Sequence, residues 1–367
     1  MRPVIIGYDA QSMTGKYQTG LGVYSKGLAR ILERHPETVD LRLLWPRHRR
    51  PFRRTWERMV WEQYHMLMTA FNEEVDLIHV PCFSVPRMSH IPKVVTAHDV
   101  ILMKHPRLMS PGSRWYFSKW IPSSYRHADH IIAVSNATRD DLVNLVGIDP
   151  GKITVIYHGI NPVFTRNTNP HDINRIRFKY HCPGDYFMMV GAFEPRKNIM
   201  ITIDAFARIA EHSPQLKLLL VGKENDYHRQ VIDKIRHMRL REKVLLPGYI
   251  PDPELAVLYS MATSLVFPSV AEGFGLPLIE AMACGCPIIA SNLKVFHEIG
   301  SDAVEYVPVN DAESLSEQML KMLDDPQHRA MMTLNGLSRS LKFNWDHCAE
   351  ETVKVYFRVL TKRGVHF

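Results

Sequence analysis

At 367 residues the chain is longer than one hydrophobic core usually supports, which favours two domains of roughly 150 to 200 residues each. Its hydrophobic share of 46% and charged share of 23% are those of a globular protein, and no apolar run reaches the roughly 18 residues that a membrane-spanning helix requires. The formal charge of +7 and pI of about 9.1 point to an acidic partner, while five cysteines at 82, 182, 284, 286 and 348 suit neither a disulfide framework nor a four-ligand zinc site.

The chain opens with a strand-like run ending in an acid, Val4 to Asp9, without the apolar stretch and cleavage site of a signal peptide. The expected location is therefore cytoplasmic. Further β-rich runs follow at Leu41 to Trp45, Asp76 to Val80, Lys93 to Ala97, His130 to Val134 and Ile153 to Tyr157. Helix-competent stretches separate most of them: Leu21 to Arg34, Thr55 to Phe71, Ser113 to His127, and Thr138 to Val146 entered through Ser135 and Asn136 as caps. After the polar segment Asn161 to His171 the alternation restarts, with strands at Tyr186 to Val190, Leu216 to Val221, Lys243 to Leu246, Thr263 to Phe267, Pro287 to Ala290 and Val304 to Val307. Alternating strands and helices predict an α/β chain of two Rossmann-like domains built on parallel sheets. The expected division is residues 1–170, 171–343 and a helical 344–367 that crosses back to the first domain.

Between the second strand and the next helix, the segment Arg47 to Trp61 mixes six arginines with Phe52, Trp56 and Trp61. Basic residues attract an anionic bilayer and aromatics favour its interface; a solvated connection with aromatics turned into the core fits the same residues. Ligands of open parallel sheets bind beyond the carboxyl ends of the strands, where two loops carry unusual residues. Gly191-Ala192-Phe193-Glu194-Pro195-Arg196-Lys197-Asn198 follows one strand, with Arg196 and Lys197 suited to a diphosphate and Asn198 placed to cap a helix. Ser269-Val270-Ala271-Glu272-Gly273-Phe274-Gly275-Leu276-Pro277 follows another, and Glu280 comes eight residues after Glu272. Glycines allow close backbone approach, Pro277 suits a first helical turn, and a helix start attracts phosphate. Two carboxylates there would repel an anion unless they accept hydrogen bonds from sugar or ribose hydroxyls. Taken alone, the same glutamates also suit a loop charge and an amphipathic helix.

These residues resemble glycosyltransferase family 4, retaining enzymes with a GT-B fold of two Rossmann-like domains facing across an interdomain cleft. The resemblance spans nearly the whole chain. Glu272 and Glu280 fit the family's E-x7-E pattern, continued by Ala281-Met282-Ala283-Cys284-Gly285-Cys286-Pro287, and Gly191 with Arg196-Lys197-Asn198 fits its phosphate-binding segment. The resemblance implies that Glu272 contacts the transferred sugar, Glu280 the donor ribose, and Arg196 and Lys197 the diphosphate. Gly191, Gly273, Phe274, Gly275 and Leu276 complete the implied donor site. In the first domain Gly20-Leu21-Gly22 looks like the acceptor or phosphate loop after the first strand, and His98, in Thr96-Ala97-His98-Asp99, looks like the histidine that approaches the donor sugar. Ser135 and Thr138 fit a weaker family pattern, and His158-Gly159 departs from an Asn-Gly found in relatives.

The implied chemistry is sugar transfer from a nucleoside diphosphate with retained configuration. Arg196, Lys197 and helix-start N–H groups would take up the leaving-group charge, so no cofactor and no essential metal are expected. Val60-Trp61-Glu62-Gln63, Asp76-Leu77-Ile78-His79 and His98-Asp99 look most like bacterial mannosyltransferase-type members that build surface polysaccharides. The expected partners are GDP-mannose, a lipid-linked saccharide acceptor and an anionic membrane surface on the inner face of the cell membrane, with no nucleic acid. UDP-sugar transferases and a nucleotide-sugar epimerase are the alternatives on this fold, and a basic nucleic-acid-binding protein is the non-enzymatic one. A dinucleotide fingerprint is excluded because Ser25 replaces the third glycine, and a phosphate-loop motif because Tyr17 follows Gly15-Lys16.

Overall fold

The computed structural model describes residues 2–15, 19–52, 54–104 and 114–365. The chain forms two compact units, one from residues up to Gly159 together with those from Phe343 on, the other from Ile160 to Lys342. Residues 160–170, assigned by sequence to the first domain, thus belong to the second unit. The cause is local bonding: Asn161 Nδ2 donates to Asp252, Asn167 N donates to Ser260 Oγ, and the buried Phe164 ring meets Tyr259.

Among the described residues, the first unit contains the strands β1 (Val4–Asp9), β2 (Val39–Leu44), β3 (Leu77–Val80), β4 (Lys93–Ala97), β5 (His130–Ala133) and β6 (Ile153–Val155). They pair in parallel in the order β2-β1-β3-β4-β5-β6. Every residue of β3, β4 and β5 is buried, as expected of a parallel sheet covered on both faces. The helix Trp345–Lys362 belongs to this unit and packs Trp345, Tyr356 and Leu360 into its core beside Tyr24 and Leu28. Trp345 sits so close to Gly27 and Gly159 that a Cβ there would approach its ring to 2.4 and 2.3 Å. No helix among the described residues is long and apolar enough to cross a membrane.

The second unit contains β7 (Tyr186–Val190), β8 (Lys217–Val221), β9 (Val244–Gly248), β10 (Ser264–Phe267), β11 (Ile288–Ser291) and β12 (Glu305–Val307). Their parallel order is β12-β11-β10-β7-β8-β9. Connections run outward from β7 in one direction and from β10 in the other, so the strand order reverses between these neighbours. That switch point is where open α/β sheets bind ligands, and the loops after β7 and β10 both leave from it. The first sheet has its switch point between β1 and β3.

Two local expectations are corrected. Gly20 and Gly22 do not form a loop: they lie in the first turn of the helix Gly20–Leu32, because Thr19 Oγ1 accepts from the Gly22 amide and caps that helix. Asn198 does not cap the helix Ile199–Ile209 with its side chain. It takes a left-handed φ of 61° and donates through Nδ2 to the Pro268 carbonyl at 3.1 Å and to Asn310 Oδ1 at 3.0 Å. Ser135 does cap its helix, accepting from the Thr138 amide.

Candidate active site

Beyond β7 the chain turns at Gly191, whose φ of 148° is a conformation that residues with a Cβ rarely adopt. Gly222, beyond β8, must also be glycine, since a Cβ would come within 2.1 Å of the Gly191 carbonyl oxygen. These glycines let the loop pass over the sheet end and deliver the short helical turn Pro195–Lys197. Beyond β10 the chain runs through Glu272, and Gly273, Phe274 and Gly275 are buried. Gly275, at φ 100°, precedes the helix Leu276–Ala283, whose amino end, with Pro277 in its first turn, starts beyond the sheet. The two loops are stitched together by the Val270 amide, which donates to the Arg196 carbonyl at 2.8 Å.

Glu272 and the two cations meet directly. Lys197 Nζ lies 2.5 Å from Glu272 Oε1 and Arg196 Nη1 lies 3.1 Å from Oε2. Glu194 Oε2 accepts from Arg196 Nε at 2.7 Å, and Lys197 Nζ also sits 4.7 Å from the centre of the Phe267 ring. Burial opposes ionisation of Glu272, but the charges of Lys197 and Arg196 outweigh it and hold its carboxyl below the usual range. The Glu272 carboxyl is therefore held in its ionised form.

Glu280 has the opposite environment. Burial, reinforced by the nearby charge of Asp252, pushes its pKa up to about 8, and Tyr259 OH donates to its Oε2 at 3.3 Å. At neutral pH it holds its proton. Tyr259 and Asp252 were not singled out from sequence; they lie on the helix Asp252–Met261, and only the packing of that helix beside Leu276–Ala283 brings them to Glu280.

In the first unit, His98 follows the carboxyl end of β4. Its Nε2 donates to the Pro81 carbonyl at 2.8 Å, which leaves the lone pair on Nδ1. Burial lowers its pKa to about 4, so the ring is neutral. Tyr24 and His158 approach its ring edge-on, with centroids 4.8 and 5.3 Å away. A cavity of about 210 Å³ adjoins it, lined mainly by apolar groups including Leu21, Phe83, Val100, Met103 and Phe117.

The basic aromatic segment divides in the structure. Trp61 is buried and donates through Nε1 to Asp9 at 3.0 Å, which removes it from any exposed interface. Arg47, Arg49, Arg50 and Arg54 are exposed, as is Trp56; Arg53 lies outside the described residues. All five cysteines are buried and free.

Residues 172–339 match the family model of Glycosyl transferases group 1, and residues 23–164 match that of Glycosyltransferase Family 4. Over 333 residues the chain is 27% identical to the O-antigen chain mannosyltransferase B of Escherichia coli, covering 90% of this chain and 82% of that protein. Over 223 residues it is 31% identical to the O-antigen chain mannosyltransferase RfbU of Salmonella typhimurium, covering 60% of this chain and 58% of RfbU. Among solved structures, Anabaena Alr3699/HepE in complex with UDP and glucose is similar in fold, with a TM-score of 0.75 at 19% identity over 97% of this chain and all of that one. With a glycosyltransferase family match on each unit and two parallel-sheet units of the GT-B type, the chain belongs to glycosyltransferase family 4 and is a glycosyltransferase.

Proposed function

We propose that the enzyme transfers mannose from GDP-mannose, with retention of configuration, to a lipid-linked saccharide during bacterial surface polysaccharide synthesis. The observation that carries the donor chemistry is the Lys197–Glu272–Arg196 cluster at the switch point of the second sheet. A diphosphate takes the place of the Glu272 carboxylate on the two cations, and the released carboxylate accepts hydrogen bonds from the sugar hydroxyls. Cleavage builds negative charge on the departing phosphate oxygen, which Lys197, Arg196 and the positive end of the helix Leu276–Ala283 stabilise. This donor set supplies the positive charge that a divalent cation would otherwise bring. Glu280 accepts from the ribose hydroxyls, and neutral His98 accepts a sugar hydroxyl at Nδ1. Mannose is favoured because two relatives are named as O-antigen mannosyltransferases.

An anionic bilayer is the proposed docking surface. Trp56, Val60, Tyr64, Met68 and Phe71 are all exposed on the continuous helical run of residues 55–72. They recur every three or four residues along that run. The exposed Arg47, Arg49, Arg50 and Arg54 precede it in the chain. An apolar stripe next to exposed arginines suits a helix lying in a lipid interface.

The decisive experiment is a thermal-shift panel of nucleoside diphosphates and their sugars, followed by NMR of the product's anomeric configuration. GDP-mannose is expected to raise Tm most. A preference for a UDP-sugar, the ligand class of the HepE complex with UDP-glucose, would replace the donor while leaving the phosphate chemistry intact. Isomerised donor in place of transferred sugar would overturn the reading.

A further inference from the structure

The tautomer of His98 depends on one backbone carbonyl, that of Pro81. Pro81 begins the loop that leaves β3 at the switch point of the first sheet, so the stability of that loop decides which ring nitrogen carries the proton. The loop is not intrinsically relaxed. Phe83 has a φ of 73°, in the left-handed region that a bulky side chain avoids. Such a conformation persists only where its surroundings hold it.

The restraint comes largely from two adjacent residues, Glu62 and Gln63, on the π-helical turn Trp61–His65. Turns of this type are rare and often mark functional sites. Ser84 Oγ donates to Glu62 Oε2. Gln63 Nε2 donates to the Val85 carbonyl at 3.0 Å, and its Oε1 accepts from the Arg87 amide at 2.9 Å. Ser124 Oγ accepts from the Val85 amide at 2.7 Å, and the Arg58 guanidinium stacks 3.7 Å above the Phe83 ring. Glu62 is 1% exposed, and its other anchor is Tyr116 OH, which donates to Oε1 at 2.8 Å. The carboxyl group is closed off from solvent. It has one evident mechanical consequence, since it ties Ser84, three residues from Pro81, to the helix and to Tyr116.

We propose that Glu62 is a positioning residue: through Ser84 it holds the 81–87 loop so that the Pro81 carbonyl keeps the His98 proton on Nε2 and leaves Nδ1 free to accept. The consequence for transfer rests on the role given above to His98. The tautomer itself can be read without that assumption.

Long-range proton–nitrogen NMR of the full chain, with His98 assigned by its absence in His98→Asn, reports the tautomer directly. The wild type is expected to show the Nε2–H form. Burial pushes the Glu62 pKa up to about 8, and the protonated carboxyl donates to one of its two hydroxyl partners and accepts from the other, which glutamine can imitate. Glu62→Gln should therefore keep the Nε2–H form. Glu62→Ala should give a mixture of tautomers, with kcat lowered about 10- to 100-fold and KM changed far less, as expected for misplacement of a reacting-centre contact. Ser84→Ala, which removes one hydroxyl and no charge, should shift the tautomer in the same direction should Glu62→Ala fail to fold. An unchanged His98 tautomer in a folded Glu62→Ala or Ser84→Ala protein overturns the proposal. A shifted tautomer with unchanged kcat supports the clamp and instead removes His98 from the transfer chemistry.

Discussion

Replacing Lys197 by alanine separates the structural from the chemical work of the charge cluster. Lys197 and Glu272 side chains are each 9% exposed and 2.5 Å apart. Breaking a buried pair costs about 3–5 kcal/mol when the surviving charge has no other partner. Glu272 keeps Arg196 at 3.1 Å, and that guanidinium is only 26% exposed, so the expected loss is smaller, about 1–3 kcal/mol. Urea unfolding measures it. Turnover should fall further, because one stabilising donor at the leaving group contributes about 3 kcal/mol, or 10²- to 10³-fold in rate. The double variant Lys197→Ala/Glu272→Gln should regain stability, since no carboxylate is left short of a cation and Arg196 retains Glu194. It should not regain activity. A folded Lys197→Ala enzyme with normal kcat/KM on its donor would refute the phosphate role, and a double variant no more stable than the single one would refute the electrostatic account of the cluster.

Glu280 should make stability fall as pH rises. Its carboxyl titrates near 4.5 when unfolded and near 8 when folded, so between those values the folded state binds an extra proton and its advantage is progressively lost; Glu280→Gln should flatten the unfolding free energy between about pH 5.5 and about pH 8.5, and an unchanged slope would count against this assignment. On the proposed reading, in which Arg196, Lys197 and the helix start carry the leaving-group charge, transfer should persist in excess chelator; activity lost with chelator and restored only by magnesium or manganese would show otherwise. Cosedimentation should favour anionic over neutral vesicles and weaken with salt. Changing Arg47, Arg49, Arg50 and Arg54 to Ser should reduce binding, as should changing Trp56 and Phe71 to Ser, and equal binding by all three proteins would return the segment to a solvated connection.

Much of the fold is legible in the sequence because burial on both faces of a parallel sheet produces short, continuous apolar runs. Val4–Asp9, Lys93–Ala97 and Tyr186–Val190 fall where those runs predict them. Helix phase is less legible around Trp61. A π-helical turn from Trp61 to His65 interrupts the 3.6-residue period, so Trp61 and Met66 enter the core while Trp56, Val60 and Tyr64 stay exposed. A strict helical wheel sets Trp61 and Met66 about 140° apart and so cannot bring both into the core. Gly20 misleads for a related reason: two glycines suggest a loop, but a threonine immediately before them supplies a cap.

The candidate site is legible as residue types and not as partnerships. Glu272 and Lys197 are 75 positions apart, and they meet only because β10 pairs with β7, a neighbour relation that periodicity does not encode. The same strand order explains why Glu272 and Glu280 differ despite sharing one motif. Glu272 sits in the loop that reaches the β7 cations and is held ionised, whereas Glu280 lies in the helix Leu276–Ala283 beside Tyr259 and Asp252 and keeps its proton. Two carboxyl groups eight residues apart thus rest in different states, one ionised beside cations and one protonated. On the proposed reading, nucleotide binding at Glu280 should release a proton near neutral pH.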